Sequence, residues 1–182
     1  MLRRTLLIIA PEPPPYFGAA VATKRLLDAG RRGCFRFRHV NTIDPAGTSN
    51  MGKLAPANFV LALKHYLETV RYLISDAAIE AVYLPITFTN APAFWRDLGF
   101  VALAQIFRKQ LIMHCHDNRV EEFYRSHWWP ARRAVRWSLR AARSIVVLCP
   151  RMGVATQRVV ASARVEIVPN GVDLEDTVAE AH

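Results

Sequence analysis

The chain has 182 residues, 52% of them hydrophobic and 21% charged, with a formal net charge of +9. That length suits one folded core, and the apolar fraction excludes a disordered chain. No apolar run approaches the roughly 18 residues that span a bilayer. The apolar stretch behind Met1-Leu2-Arg3-Arg4 stops at Pro11, too soon for a secretory signal. Cys34, Cys115 and Cys149 are odd in number and far apart, so reduced thiols and a cytoplasmic setting are expected rather than a disulfide framework.

Residues 5–10 form a short apolar run closed by a proline cluster and read as a buried strand. After a loop over 11–17, Gly18 opens a helix over 19–30 whose Val21, Leu26 and Leu27 face a sheet. Residues 34–40 alternate with the period of a strand that has one half-solvated face, and 41–53 form a loop. The clearest helical period comes next: Phe59, Leu63, Tyr66, Leu67, Val70, Leu73 and Ile74 fall on one row. That row is expected to face the core, with Lys64, Glu68 and Arg71 outside. Then follow a strand at 81–84, a helix at 94–107, a strand at 111–114 and a helix at 130–142 with proline near its start. A strand at 145–148, a helix at 152–161 and a strand at 165–168 complete the series.

Strands alternating with helices predict an α/β fold: a doubly wound, mostly parallel, six- or seven-stranded Rossmann-like sheet covered on both faces. Ligands of such sheets bind beyond the carboxyl ends of the strands. Functional residues are therefore expected just after residues 10, 40, 84, 114, 148 and 168.

In the first of these loops, Gly18 at a strand-to-helix junction suits the approach of an anion to backbone N–H groups. Neither G-x-G-x-x-G nor G-x-x-x-x-G-K-[ST] occurs, which argues against a nicotinamide dehydrogenase and a P-loop NTPase. After the fourth strand stands His114-Cys115-His116-Asp117-Asn118, with both histidines on one face of the strand. His-x-His-Asp suits a metal centre of a hydrolase, yet His39, His65, His127 and His182 supply no second ligand cluster. The other readings are one histidine donating to a polar ligand while its neighbour packs, or both simply capping the strand. No metal is expected. After the last strand, Pro169-Asn170-Gly171 is a turn.

The charge is concentrated. Residues 123–165 hold nine arginines and no acid, and residues 166–182 hold five acids and no base. On the helix at 130–142, Arg132, Arg136, Arg140 and Arg143 form one face flanked by Arg133 and Trp137, with Trp128 and Trp129 just before it. Val135 and Leu139 lie opposite. Arginine edged by tryptophan suits an anionic lipid surface. Base-reading motifs are not evident, so no nucleic-acid partner is expected.

Taken in order, several segments resemble the N-terminal domain of family 4 glycosyltransferases of the GT-B fold. They are residues 13–21, 40–42 with Gly52-Lys53, 82–85 with Phe94-Trp95-Arg96-Asp97, 114–118, 145–148, and 168–173, which read Val-Pro-Asn-Gly-Val-Asp. The resemblance implies a single N-terminal half of a two-domain enzyme, holding the acceptor and facing a nucleotide-sugar held by the other half. It implies transfer with retention of configuration, no cofactor beyond the nucleotide-sugar co-substrate, and a glycan or lipid-linked acceptor. By the same token Gly18 and Ala19 contact a diphosphate or acceptor group through their backbone, and His116 reaches the transferring sugar. Asp117 and Asn118 are its polar neighbours, Glu121 and Glu122 meet acceptor hydroxyls, and Asn170-Gly171 is the interdomain hinge. Family members usually carry paired glycines where this chain has Gly18-Ala19, and a serine where it has Cys149. The E-x7-E motif of the family's second domain has no counterpart. Residues 1–169 are thus expected to be the acceptor-side domain and 170–182 the start of a linker, inactive unless a separate donor-binding chain supplies the rest. The alternatives are a truncated homologue that only binds, and a metal-dependent hydrolase using His114 and His116. The expected location is the cytoplasm, peripheral at the inner membrane face.

Overall fold

A computed structural model describes residues 4–32, 35–43 and 56–169. In chain order these form β1 (Arg4–Ala10), α1 (Gly18–Arg32), β2 (Phe35–Asn41), α2 (Pro56–Ser75), β3 (Ile79–Ile86) and α3 (Ala91–Ile106). There follow β4 (Gln110–Cys115), α4 (Val120–Ser126), α5 (Trp129–Ala141), β5 (Ser144–Val147), α6 (Pro150–Val159) and β6 (Val165–Ile167). The strands make one six-stranded sheet in the order β2-β1-β3-β4-β5-β6, and every pairing is parallel. The α/β, Rossmann-like expectation holds, with six strands among the described residues.

The order explains the layering. The chain moves one way from β1 to β2 and the opposite way through every later crossover, so right-handed connections set α1 on one face and α2, α3, α5 and α6 on the other. Alternate residues of β1 record this. Among the described residues, Leu7 and Ile9 join a core of 27 buried apolar residues with Phe94, Phe100, Val135 and Met152. Ile8 and Ala10 join a smaller cluster, among the described residues, with buried Leu27 and Tyr83 and partly buried Leu26, Phe37 and Ile112. The sheet is doubly wound, and among the described residues the larger core lies on the face of α2, α3, α5 and α6.

Two local departures matter. Strand β3 runs through Pro85 to Ile86 and stays paired, with Pro85 beside His114 in β4, so the sheet carries a proline in an interior strand close to its carboxyl end. The second departure corrects the helix-face expectation. In α2 the buried residues are His65, Thr69 and Leu73, whereas Phe59, Leu63, Leu67 and Ile74 are more than half exposed. Its apolar row is wider than the roughly 100° stripe a helix buries. Packing against α3 selected the edge containing Tyr66 and Leu73. There Gly99 leaves room for the Tyr66 ring, which meets Phe100 at 4.6 Å and donates its hydroxyl to the Arg96 carbonyl at 2.6 Å.

Candidate functional site

Because β1 lies between β2 and β3, the chain leaves β1 toward α1 and β3 toward α3, on opposite faces of the sheet. The two loops diverge at the carboxyl edge, which is where ligands bind in sheets of this order. A small cavity of about 100 Å³ sits there, lined among others by Ala19, Thr42, Thr87, Arg96 and Asp97.

The first loop is tied to β2 rather than left loose. Asn41 Oδ1 accepts the N–H groups of Glu12 and Ile43 at 3.0 and 3.1 Å, and His39 Nε2 meets the Ala10 carbonyl at 2.9 Å. Helix α1 then begins at Gly18, and its first backbone bond runs from Val21 N–H to the Phe17 carbonyl. The N–H groups of Gly18, Ala19 and Ala20 therefore precede the ladder, at the positive end of the helix dipole. Gly18 is exposed, and a Cβ there would meet nothing within 4 Å. Its glycine is not demanded by crowding within the described residues.

Behind this opening lies a pair that sequence reasoning named only within a longer resembling segment. The Asp97 carboxylate is fully buried: Oδ1 accepts from Arg96 Nε and Nη2 at 3.0 and 2.8 Å, and Oδ2 accepts the Thr87 N–H at 3.0 Å. Burial pushes this carboxyl above the usual range, and Arg96 and Thr87 pull it back. The Arg96 side chain remains two-fifths exposed and borders the cavity. The available signal was Asp97 itself, the only acid in the largely apolar helix α3.

At the end of β4, His114 and His116 share a face as the strand period required, with ring centroids 3.9 Å apart. The Tyr83 hydroxyl lies 2.5 Å from His114 Nδ1. Burial raises the Tyr83 phenol, so it keeps its proton and donates it to Nδ1, which leaves the proton of neutral His114 on Nε2. Burial, then the neighbouring His116, holds His114 down at about 4. Burial also lowers His116, against the opposing pull of Asp117. The Nε2 atoms of both rings are buried and have no hydrogen-bond partner among the described residues. A buried imidazole nitrogen without a partner costs free energy that a ligand oxygen placed against it would recover.

The remaining expected residues divide. Asp117 accepts from two backbone N–H groups, Phe88 through Oδ2 and Arg119 through Oδ1, both at 3.0 Å, and so ties the β4 loop to the β3 loop. Asn118 and Glu122 are exposed. Glu121 is engaged between helices, 2.6 Å from Arg125 and 3.3 Å from Arg158. Cys149 caps α6 with no side-chain cap bond. Asn170 and Gly171 lie outside the described residues. Among the described residues, no group of three or more His, Cys, Asp or Glu is placed to hold a metal ion.

On α5, Arg136, Trp137, Arg140 and the following Arg143 are exposed, with Val135 and Leu139 buried opposite. Arg132 is exposed yet occupied at the α4–α5 corner, where it donates to the carbonyls of His127 and Arg125 at 2.7 Å and lies over the Tyr124 ring. No helix among the described residues is long and apolar enough to cross a membrane.

Residues 92–176, from α3 past β6, match the family model described as Glycosyltransferase Family 4. No curated protein matches the chain. The matched stretch contains both β4 histidines and the Arg96–Asp97 pair, and over these residues the chain is similar to glycosyltransferase family 4, which supports a glycosyltransferase-like domain.

Proposed function

We propose that this domain is the acceptor-side half of a retaining glycosyltransferase that moves a sugar from a nucleotide-sugar to a glycan or lipid-linked acceptor at the cytoplasmic face of a membrane. The observation that carries the reading is the unpartnered Nε2 of His116 at the carboxyl edge of β4, beside the equally unpartnered Nε2 of His114. With its pKa lowered by burial, His116 is neutral near pH 7 and bonds a sugar hydroxyl without adding charge. The first-turn N–H groups of α1 and the Arg96 guanidinium supply positive potential for an acceptor phosphate or the donor diphosphate. Departure of a nucleoside diphosphate requires fixed positive charge at the leaving oxygens. We assign that charge to a facing wall from a further domain or a separate chain, so this domain alone aligns one reactant only.

The test is transfer of labelled sugar from UDP-glucose, GDP-mannose and UDP-N-acetylglucosamine to a membrane lipid extract, by this chain alone and with a partner chain carrying a donor-binding domain. Transfer is expected only in the pair and is expected to fall about 100-fold with His116→Ala, within the range for losing a positioned polar group. Turnover by the 182-residue chain alone would overturn the half-site reading. Undiminished transfer by His116→Ala would overturn the role of the histidine.

A further inference from the structure

The inverted packing of α2 leaves five large apolar side chains in water. Phe59, Val60, Leu63, Leu67 and Ile74 are 57–70% exposed, on the side of α2 opposite His65 and Thr69. Soluble monomers rarely expose a contiguous apolar row of that size without a use for it. This row is not isolated. Helix α2 packs beside α3, and α3 beside α5, in one layer on the same face of the sheet. Outward from α3 stand Trp95 and Ile106, and outward from α5 stand Trp129 and Trp137.

The charge of this layer is one-sided. Across α2, α3 and α5 there are seven cationic side chains and two acids, and one of those acids, Asp97, is buried against Arg96. Arg136 and Arg140 carry no ion pair among the described residues. A second copy seated on this face about a two-fold axis would set like charges against like charges. An anionic bilayer meets each feature: indoles settle at the headgroup level, aliphatic side chains enter the acyl boundary, and arginines face lipid phosphates.

We infer that the outer face of the α2–α3–α5 layer docks on an anionic membrane surface, with the Phe59–Leu63–Leu67 row of α2 buried at the acyl boundary and Arg136 and Arg140 of α5 on lipid phosphates. The sequence-level expectation placed the membrane contact on α5 alone; the structure adds the apolar half of the contact. The inference does not depend on the transferase reading, since vesicle binding is measured without any sugar.

The experiment is co-flotation of the chain with vesicles of phosphatidylcholine alone and of phosphatidylcholine with phosphatidylglycerol. Binding is expected to the mixed vesicles and to weaken with salt. Each arginine removed by Arg136→Ser or Arg140→Ser should lower the partition roughly fivefold. The double variant Leu63→Ser/Leu67→Ser should lower it at least about tenfold. All four side chains are exposed, so far-UV circular dichroism should confirm unchanged folding. Equal binding to both vesicle types would overturn the proposal, and so would wild-type flotation of the leucine variant. A wild-type dimer in light scattering that Leu63→Ser/Leu67→Ser converts to monomer would instead assign the face to self-association.

Discussion

Mild acid should weaken this fold through two buried histidines. His65, packed inside α2, is held at about 4 by burial, then by Arg96 and Lys64; His114 is held at about 4 by burial and His116. In the unfolded chain each titrates near its ordinary value of 6.5. The folded value is the lower one, so the unfolded state takes up protons first. Stability is therefore fully present above pH 6.5 and is lost as pH falls from there toward 4. At about pH 5 each histidine costs about 2 kcal/mol, and the two together about 4. A domain holds only about 5–15 kcal/mol in all, so that loss is large. His116 acts in the same direction. Asp97 acts in the opposite one, since its carboxyl is raised and ionising it costs the fold as pH rises. The assay is urea unfolding followed by tryptophan fluorescence at about pH 7.5 and about pH 5, on wild type and His65→Leu. Comparing the two pH-dependent losses cancels the Asp97 contribution, and the variant should lose about 2 kcal/mol less. An equal loss in both proteins would refute the assignment to His65.

Three substitutions probe other parts of the account. Gly99→Ala presses a methyl into the Tyr66 phenol and should cost about 1–3 kcal/mol in thermal or urea unfolding, where an unchanged midpoint would contradict the α2–α3 packing described. Asp117→Ala strands the Phe88 and Arg119 N–H groups and should cost about 1–3 kcal/mol, with Asp117→Asn recovering part of it. Gly18→Ala meets open space and should change unfolding by less than about 0.5 kcal/mol, yet weaken binding of inorganic phosphate at the α1 N-terminus; a large loss of stability would show that Gly18 is structural.

Much of the architecture was legible because it rests on local periodicity. Short apolar runs or two-residue alternation marked all six strands among the described residues, and the two-residue period alone put His114 and His116 on one face. Features set by tertiary choice were not legible. The row from Phe59 to Ile74 offered two edges for burial, and the room left by Gly99 on a later helix decided between them. The Tyr83–His114 bond joins neighbouring strands whose register no local pattern reveals. Asp117 stood where the resemblance implied a ligand contact, yet its oxygens serve backbone N–H groups 29 and two residues away. Arg96 and Asp97 stood only within a segment that carried the resemblance, and the fold alone shows Asp97 buried and Arg96 bordering the cleft.

The central claim is that the ligand site lies at the carboxyl edge, between the start of α1 and the end of β4. It is tested most directly by backbone and imidazole 15N shifts of the whole chain during titration with UDP-glucose, GDP-mannose and an acceptor lipid extract. Changes are predicted at Gly18, Ala19, Thr87, Arg96, His114 and His116. A larger crevice, of about 420 Å³, lies at the opposite edge of the sheet between Lys109, Arg140, Arg143 and Arg164. Shifts confined to that crevice, with the two histidines unmoved, would contradict the account.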